Sequence, residues 1–163
     1  MIGAKEVCVD ASLLLKLVLN EPDSELADLL FSGWYEKGIR LIAPSFCPVE
    51  VDSVIRQKAV RPKGQGGLTE EQAELVFEAA QSIPLQIVAA DSQRRRAWEL
   101  AKKLGLPTVY DAHYLALAEL RNCEFWTADT RFYNTAREKL PYVHHLQEIM
   151  DMVEAKREDE NPV

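Results

Sequence analysis

Four acidic residues stand out by type and position: Asp10, Glu50, Asp111 and Asp129. Asp10 directly follows the short β-branched run Val7-Cys8-Val9, and Asp129 comes just past the apolar pair Phe125-Trp126. In an open α/β sheet, ligands bind beyond the carboxyl ends of the strands. Both aspartates fall at such ends. Asp111 lies in the first turn of a helix whose apolar face runs through Leu115 and Ala118. Glu50 is the most informative of the four. At about 100° per residue, Phe46, Cys47, Val51 and Val54 form one apolar stripe, and Glu50 falls inside it while Asp52 falls on the opposite face. A carboxylate on a buried stripe is costly unless something pairs with it.

Hard oxygen donors without histidine or cysteine select Mg²⁺ or Mn²⁺ over zinc. Such a set suits metal-assisted phosphodiester hydrolysis: one ion lowers the pKa of an attacking water, and a second, roughly 4 Å away, stabilises the leaving oxygen. Each acid also has a plainer reading. Asp10, Asp111 and Asp129 precede or open helices, where aspartate is a good N-cap. Thr108 and Asp111 have the spacing of a capping box. Glu50 could be salt-bridged to a basic side chain. Capping alone does not account for three acids at one kind of topological position and a fourth on a buried face. An aspartyl-phosphate mechanism at Asp10 would want a second acid two residues on, where Ser12 stands.

The elements that must position these acids alternate in type. Strands are expected at Val7–Val9, Arg40–Ala43, Leu85–Val88, Glu124–Thr127 and Tyr142–His144. Helices are expected from Ala11 to Leu19, Asp23 to Lys37, Ser45 to Val60, Asp91 to Leu104 and Thr108 to Asn122, with others after Asp129 and Leu146. The Asp23–Lys37 helix carries Leu26, Leu29, Leu30 and Trp34 at helical spacing. Thr69-Glu70-Glu71-Gln72 is a capping box opening a helix to Ser82. Arg61–Gly67 reads as a flexible loop. Strands alternating with helices imply a parallel sheet covered on both faces, a three-layer α/β/α sandwich. The chain reads as one domain over residues 1–150, with a charged tail over 151–163 that frays.

Composition narrows the class. Hydrophobic residues are 47% and charged residues 28% of 163, which suits a packed core and a solvated surface. No apolar run approaches the roughly 20 residues of a membrane span, and the first residues lack a signal-like pattern. A cytoplasmic protein is the expectation. Three scattered cysteines, Cys8, Cys47 and Cys123, make no zinc motif and read as small buried hydrophobes. The net charge of −7 is the wrong sign for bulk attraction to nucleic acid. A nuclease tolerates it when acids gather on metal ions and bases gather on a substrate path.

At these residues the sequence resembles the PIN domain family, and especially toxin ribonucleases of the VapC type. The matching segments are Val9-Asp10-Ala11-Ser12 with Leu15-Lys16-Leu17 behind it, Pro44 with Val49-Glu50-Val51, Tyr110-Asp111-Ala112-His113-Tyr114-Leu115-Ala116-Leu117-Ala118, and Thr127-Ala128-Asp129. Their order and spacing fit the family from about residue 5 to 145. The resemblance implies a metal site made by Asp10, Glu50, Asp111 and Asp129, binding Mg²⁺ or Mn²⁺, with Ser12 and Thr127 as supporting hydroxyls. It implies an RNA substrate, an inhibiting antitoxin protein and a homodimer. Ser53 departs from the pattern, standing where members often carry asparagine. The alternatives are a PIN-type RNA-processing nuclease without an antitoxin, and a catalytically silent PIN fold serving as an interaction module.

Other residues carry weaker signals. Arg94-Arg95-Arg96 with Lys102 and Lys103 reads as a solvated helix face, or as a path steering RNA. His113 reads as a rim residue, and Trp34, Phe125 and Trp126 as core.

Overall fold

Val7, Cys8 and Val9 are almost wholly buried, because their strand is covered on both sides. They belong to β1 (Glu6–Val9), the central strand of a five-stranded parallel sheet with β2 (Arg40–Ala43), β3 (Leu85–Ile87), β4 (Glu124–Thr127) and β5 (Val143–His145). The strand order is β3-β2-β1-β4-β5. The computed structural model describes residues 5–153; of the expected charged tail at 151–163, residues 151–153 are helical and the remainder lies outside the described residues.

Seven α-helices connect the strands: α1 (Ala11–Val18), α2 (Ser24–Glu36), α3 (Cys47–Ala59), α4 (Glu70–Gln81), α5 (Gln93–Leu104), α6 (Tyr110–Arg121) and α7 (Thr130–Ala136). Residues 148–153 are also helical. Right-handed crossovers put α1 to α4 on one face and α5 to α7 on the other. The alternation of β4 follows this division. Phe125 meets Tyr114 of α6 and Phe132 of α7 at 6.0 and 5.9 Å, while Trp126 meets Trp34 of α2 at 5.7 Å. The chain runs outward from β1 to β3, then returns to β4. The direction therefore reverses between β1 and β4, which pair through Val7↔Glu124, Cys8↔Phe125 and Val9↔Trp126. That crevice is where a doubly wound sheet receives ligands.

Local signals account for most boundaries. Thr69 and Gln72 form the expected capping box at α4. Gly38 and Gly105 adopt left-handed conformations just past α2 and α5, where a side chain would be strained. Three expectations shift. In α2 the buried residues are Ala27, Leu30 and Trp34, and Leu29 is exposed because the inward stripe is narrower than its hydrophobicity suggests. Lys63–Gln65 forms a single 3₁₀ turn inside the Arg61–Gly67 loop. Ser53 donates its hydroxyl to the Val49 carbonyl at 2.6 Å, a bond internal to α3. All three cysteines are free and buried, as small hydrophobes would be.

Among the described residues, the buried acid with basic partners close by lies at the amino end of the sheet. Glu6 accepts from Arg121 through Nε at 2.8 Å and Nη2 at 2.6 Å, and from Arg40 Nη2 at 2.7 Å. The Arg121 hydrogen bond, first among the causes, holds the Glu6 carboxyl below its ordinary value of 4.5. Its stabilisation is therefore present above that value and lost as pH falls through the lowered one. Glu6→Gln is expected to reduce unfolding free energy by about 1–2 kcal/mol, less than a fully buried pair because both arginines are partly solvated. Urea midpoints would show this difference at neutral pH and its narrowing below about pH 4.

Candidate active site

At the opposite end of the sheet, beyond the carboxyl ends of β1 and β4, Asp10 and Asp129 have no ion-pair partner among the described residues. Asp10 leaves β1 in an extended conformation and caps α1, its Oδ1 accepting from the Leu13 amide at 2.9 Å. The Ser12 hydroxyl donates to the same oxygen at 2.7 Å, and the Thr127 hydroxyl donates to Oδ2 at 2.5 Å. Ser12 and Thr127 in turn accept from the amides of Ala128 and Asp129 at 3.0 and 2.9 Å. Each hydroxyl has one proton and gives it to Asp10, so the 3.2 Å approach between the two hydroxyl oxygens carries none of its own. This network ties the loop after β1 to the loop after β4. It occupies three of the roughly four acceptor positions of the Asp10 carboxylate and leaves one on Oδ2.

Asp129 caps α7, its Oδ1 accepting from the Phe132 amide at 2.9 Å. The cap reading thus holds for Asp10 and Asp129 alongside any further role. It does not hold for Asp111. The N-cap of α6 is Val109, without a side-chain cap bond, and the Thr108–Asp111 box does not form. Among the described residues, Asp111 accepts no hydrogen bond from a protein donor.

Glu50 is half-buried on α3. The buried stripe of that helix is Cys47, Val51 and Ile55, so Glu50 borders it rather than lying within it. Asp52, expected on the polar face, is half-buried against Phe77 and Ala80. Glu50 is held by Tyr114, whose hydroxyl donates to Oε2 at 2.5 Å. Cys47, one turn earlier, sits against the same hydroxyl. Tyr114 is 1% exposed, and a buried phenol needs such a partner. Its role is not evident from the sequence; the available signal is a tyrosine on the buried stripe of α6, three residues after Asp111.

Asp111 is electrostatically coupled to each of the other three acids. Burial, with the charge of Asp111 as a smaller cause, raises Asp10 from 3.8 to about 6 despite its three hydrogen bonds. Burial, followed by the charges of Asp129 and Glu50, raises Asp111 to about 6. Burial also raises Glu50 against the lowering effect of Tyr114. Among the described residues, no lysine, arginine or histidine forms an ion pair with any of these four acids.

A PIN domain model matches residues 7–138. The chain belongs to the PIN domain family. It is similar to VapC ribonuclease Mb0985 of Mycobacterium bovis, with 28% identity over 135 residues covering 83% of this chain and 94% of that protein. It is equally similar to ribonuclease VapC9 of Mycobacterium tuberculosis, at 28% over 135 residues. Among solved structures, PAE2754 from Pyrobaculum aerophilum superposes with a TM-score of 0.62 at 18% identity, covering 92% of this chain and 90% of that one. Mycobacterium tuberculosis VapC20, a sarcin-ricin loop cleaving toxin, superposes at 0.56 with 16% identity, covering 80% of this chain and 95% of that one. Both likenesses are of fold.

Among the described residues of this PIN domain, no group of three or more acids, histidines or cysteines stands ready to encircle an ion. Asp10, Glu50 and Asp129 are each turned to donors in their own surroundings. The donor set nevertheless fits a hard divalent cation: all oxygen, negatively charged, partly desolvated and with acceptor positions unused. Around it stands an aromatic wall, with Phe46 edge-on to Tyr110, His113 and Tyr114 at 5.7, 5.7 and 5.5 Å. His113 is half-buried at the rim, and burial, then the charge of Arg94, holds it below its ordinary value.

The raised values of Asp10 and Asp111 give a signed expectation. The folded state binds these protons more tightly than the unfolded chain, so stability falls as pH rises from about 4 to about 6. Removing the Asp111 charge should reverse that loss. In chelator at pH 7, Asp111→Asn is expected to be more stable than the parent by about 1 kcal/mol, allowing for partial solvent screening. Calorimetry across this pH range checks it; an unchanged or lower melting temperature would contradict the desolvation argument.

Proposed function

We propose that this PIN domain is an endoribonuclease dependent on Mg²⁺ or Mn²⁺, with Asp10, Glu50, Asp111 and Asp129 as ligands, acting as the toxin of a toxin–antitoxin pair. One observation supports the metal site: Asp10, Glu50 and Asp111 are partly or wholly desolvated, Asp111 feels the charges of Asp129 and Glu50, and none of the four acids has an ion-pair partner among the described residues. The ribonuclease and toxin parts are supported by the VapC relatives, whose lengths are nearly fully covered. Regulation by an antitoxin and assembly as a homodimer are part of the same proposal. No helix among the described residues is long and apolar enough to cross a membrane.

A divalent ion held here supplies neutralisation of phosphate charge and lowers the pKa of the attacking water. The side chains of the chain do the positioning. Ser12, Thr127 and the Leu13 amide fix the plane of Asp10. Tyr114 takes one oxygen of Glu50 and leaves Oε1 for the site. The Phe132 amide does the same for Asp129, leaving Oδ2. Asp111, free of protein donors, is the most adjustable of the four. Phe46 and its aromatic neighbours limit water on the α3 side.

Mn²⁺ should raise the melting temperature of the parent, since an ion that binds only the folded state stabilises it. Asp10→Asn is expected to lose that response and to cleave single-stranded RNA about a thousandfold more slowly. Cleavage by Asp10→Asn at the parental rate would remove the basis of this reading. Tyr114→Phe is expected to weaken Mn²⁺ binding by about 10- to 100-fold, because it acts through the orientation of Glu50. Rescue of its rate at saturating Mn²⁺ would separate this positioning role from a general loss of fold.

A further inference from the structure

The four acids account for one phosphate of a substrate. The neighbouring phosphates of an RNA strand, beyond reach of a metal at that site, need cations from the protein itself. A pocket of about 660 Å³ is lined by Asp91, Arg94, Arg95, Trp98, Val109 and His113, the last two standing two residues either side of Asp111 in the chain. We infer that Arg94, Arg95 and Trp98 form a subsite for unpaired RNA, the indole stacking on a base and the two guanidiniums meeting phosphates. This rests on the nuclease reading above for the identity of its ligand.

The three consecutive arginines of α5 divide by function. Arg96 is committed to Glu119 through Nε at 2.5 Å and Nη2 at 3.1 Å, and to Glu99 through Nη1 at 3.2 Å. Among the described residues, Arg94 and Arg95 have no ion-pair partner, although Asp91 lines the same pocket. Both lie three or four residues from Trp98, the spacing that brings helical side chains together. Trp98 is 55% exposed, whereas Trp34 and Trp126 are at 7% and 3%. An exposed indole flanked by free guanidiniums is the combination that binds single strands: sequence-tolerant stacking together with backbone neutralisation.

Contacts tie α5 to α6 and lead from the pocket to Glu50. Buried Gln93 donates to the His113 carbonyl at 3.1 Å, and the Arg96–Glu119 pair repeats the tie further along, so α5 cannot slide on α6. From the pocket, His113 packs on Phe46, Phe46 packs on Tyr114, and Tyr114 bonds Glu50. Tyr110, also against Phe46 and 56% exposed, lies next to Asp111 in sequence and offers a second aromatic face on the way.

The test uses the full chain and a single-stranded RNA of about eight nucleotides. In EDTA, the oligomer should quench the tryptophan fluorescence of the parent, while the same sequence as a duplex should not. Trp98→Ala should weaken binding about tenfold, Trp98→Phe should keep most of it, and Arg94→Ala/Arg95→Ala should lower the salt slope by about 1.4. With Mn²⁺, Trp98→Ala should raise KM for the oligomer with kcat retained, and leave cleavage of a dinucleotide unchanged. An unaltered melting temperature and Mn²⁺ response would establish that the fold and acid site are intact. If the parent cleaves RNA and these variants bind and cleave as it does, the subsite is overturned while the nuclease reading stands. Quenching without cleavage in Mn²⁺ supports the subsite and removes the nuclease reading. Neither quenching nor cleavage removes both. If the substitutions dissociate a dimer in light scattering while RNA affinity is unchanged, the face is an interface between copies and the inference fails.

Discussion

The site depends on burying negative charge without a protein counter-charge. A carboxylate taken out of water ordinarily acquires an arginine or lysine, as Glu6 does at the other end of β1. Asp10 lies at the carboxyl end of that same strand and acquires hydroxyls and an amide instead. Neutral donors orient a carboxylate but cancel little of its charge. The two ends of one four-residue strand therefore have opposite electrostatic character. The paired end is self-sufficient, and the other leaves its negative charge uncompensated by an ion pair among the described residues. Stability lost through unmet desolvation is typical of functional sites.

Parallel topology makes this arrangement possible. Strands running in one direction deliver the residues after β1 and β4 to the same edge, and the reversal of strand order opens a crevice between them. The Ser12–Thr127 network is a consequence: two loops distant in sequence sit close enough to share hydroxyl contacts around Asp10. The helices supply the other two acids. α6 presents Asp111 from its first turn, where the positive end of the helix dipole tempers the local crowding of negative charge. α3 brings Glu50 from the β2 side, and its placement depends on a phenol contributed by α6.

Much of this was legible in the sequence, for physical reasons that also mark where legibility ended. The β-branched run before Asp10 and the apolar pair before Asp129 announce strands, and an alternating α/β pattern brings their carboxyl ends to one edge of a parallel sheet. The capping box at Thr69 and the glycines at 38 and 105 are local signals, and the structure uses each of them. Glu50 was placed among buried residues on a stripe that the fold rotates: Cys47, Val51 and Ile55 face inward, and Glu50 stands at their edge. Helical periodicity specifies a face to within a side chain, whereas the exact inward direction is set by what packs there. Tyr114 shows the limit more sharply. Its hydroxyl finds Glu50 across 64 residues of sequence, and no spacing rule spans such a gap. The ion pairs of Arg96 with Glu99 and Glu119, which set it apart from its two neighbours, are likewise tertiary facts.

That separation bears on how a chain of net charge −7 can handle a polyanion. Net charge governs the far field, and at physiological salt that field is screened within about 8 Å. Contact with RNA is decided at shorter range by which charges remain unneutralised. Lys16, Lys58, Arg40, Arg56, Arg96 and Arg121 are each bound to a carboxylate and present little free charge. The acids that pair with them leave the ledger as well. What remains on α5 is a pair of guanidiniums, Arg94 and Arg95, without an ion-pair partner among the described residues. Under the nuclease proposal, an acidic protein of this design would attract RNA weakly from a distance and hold it through short-range contacts.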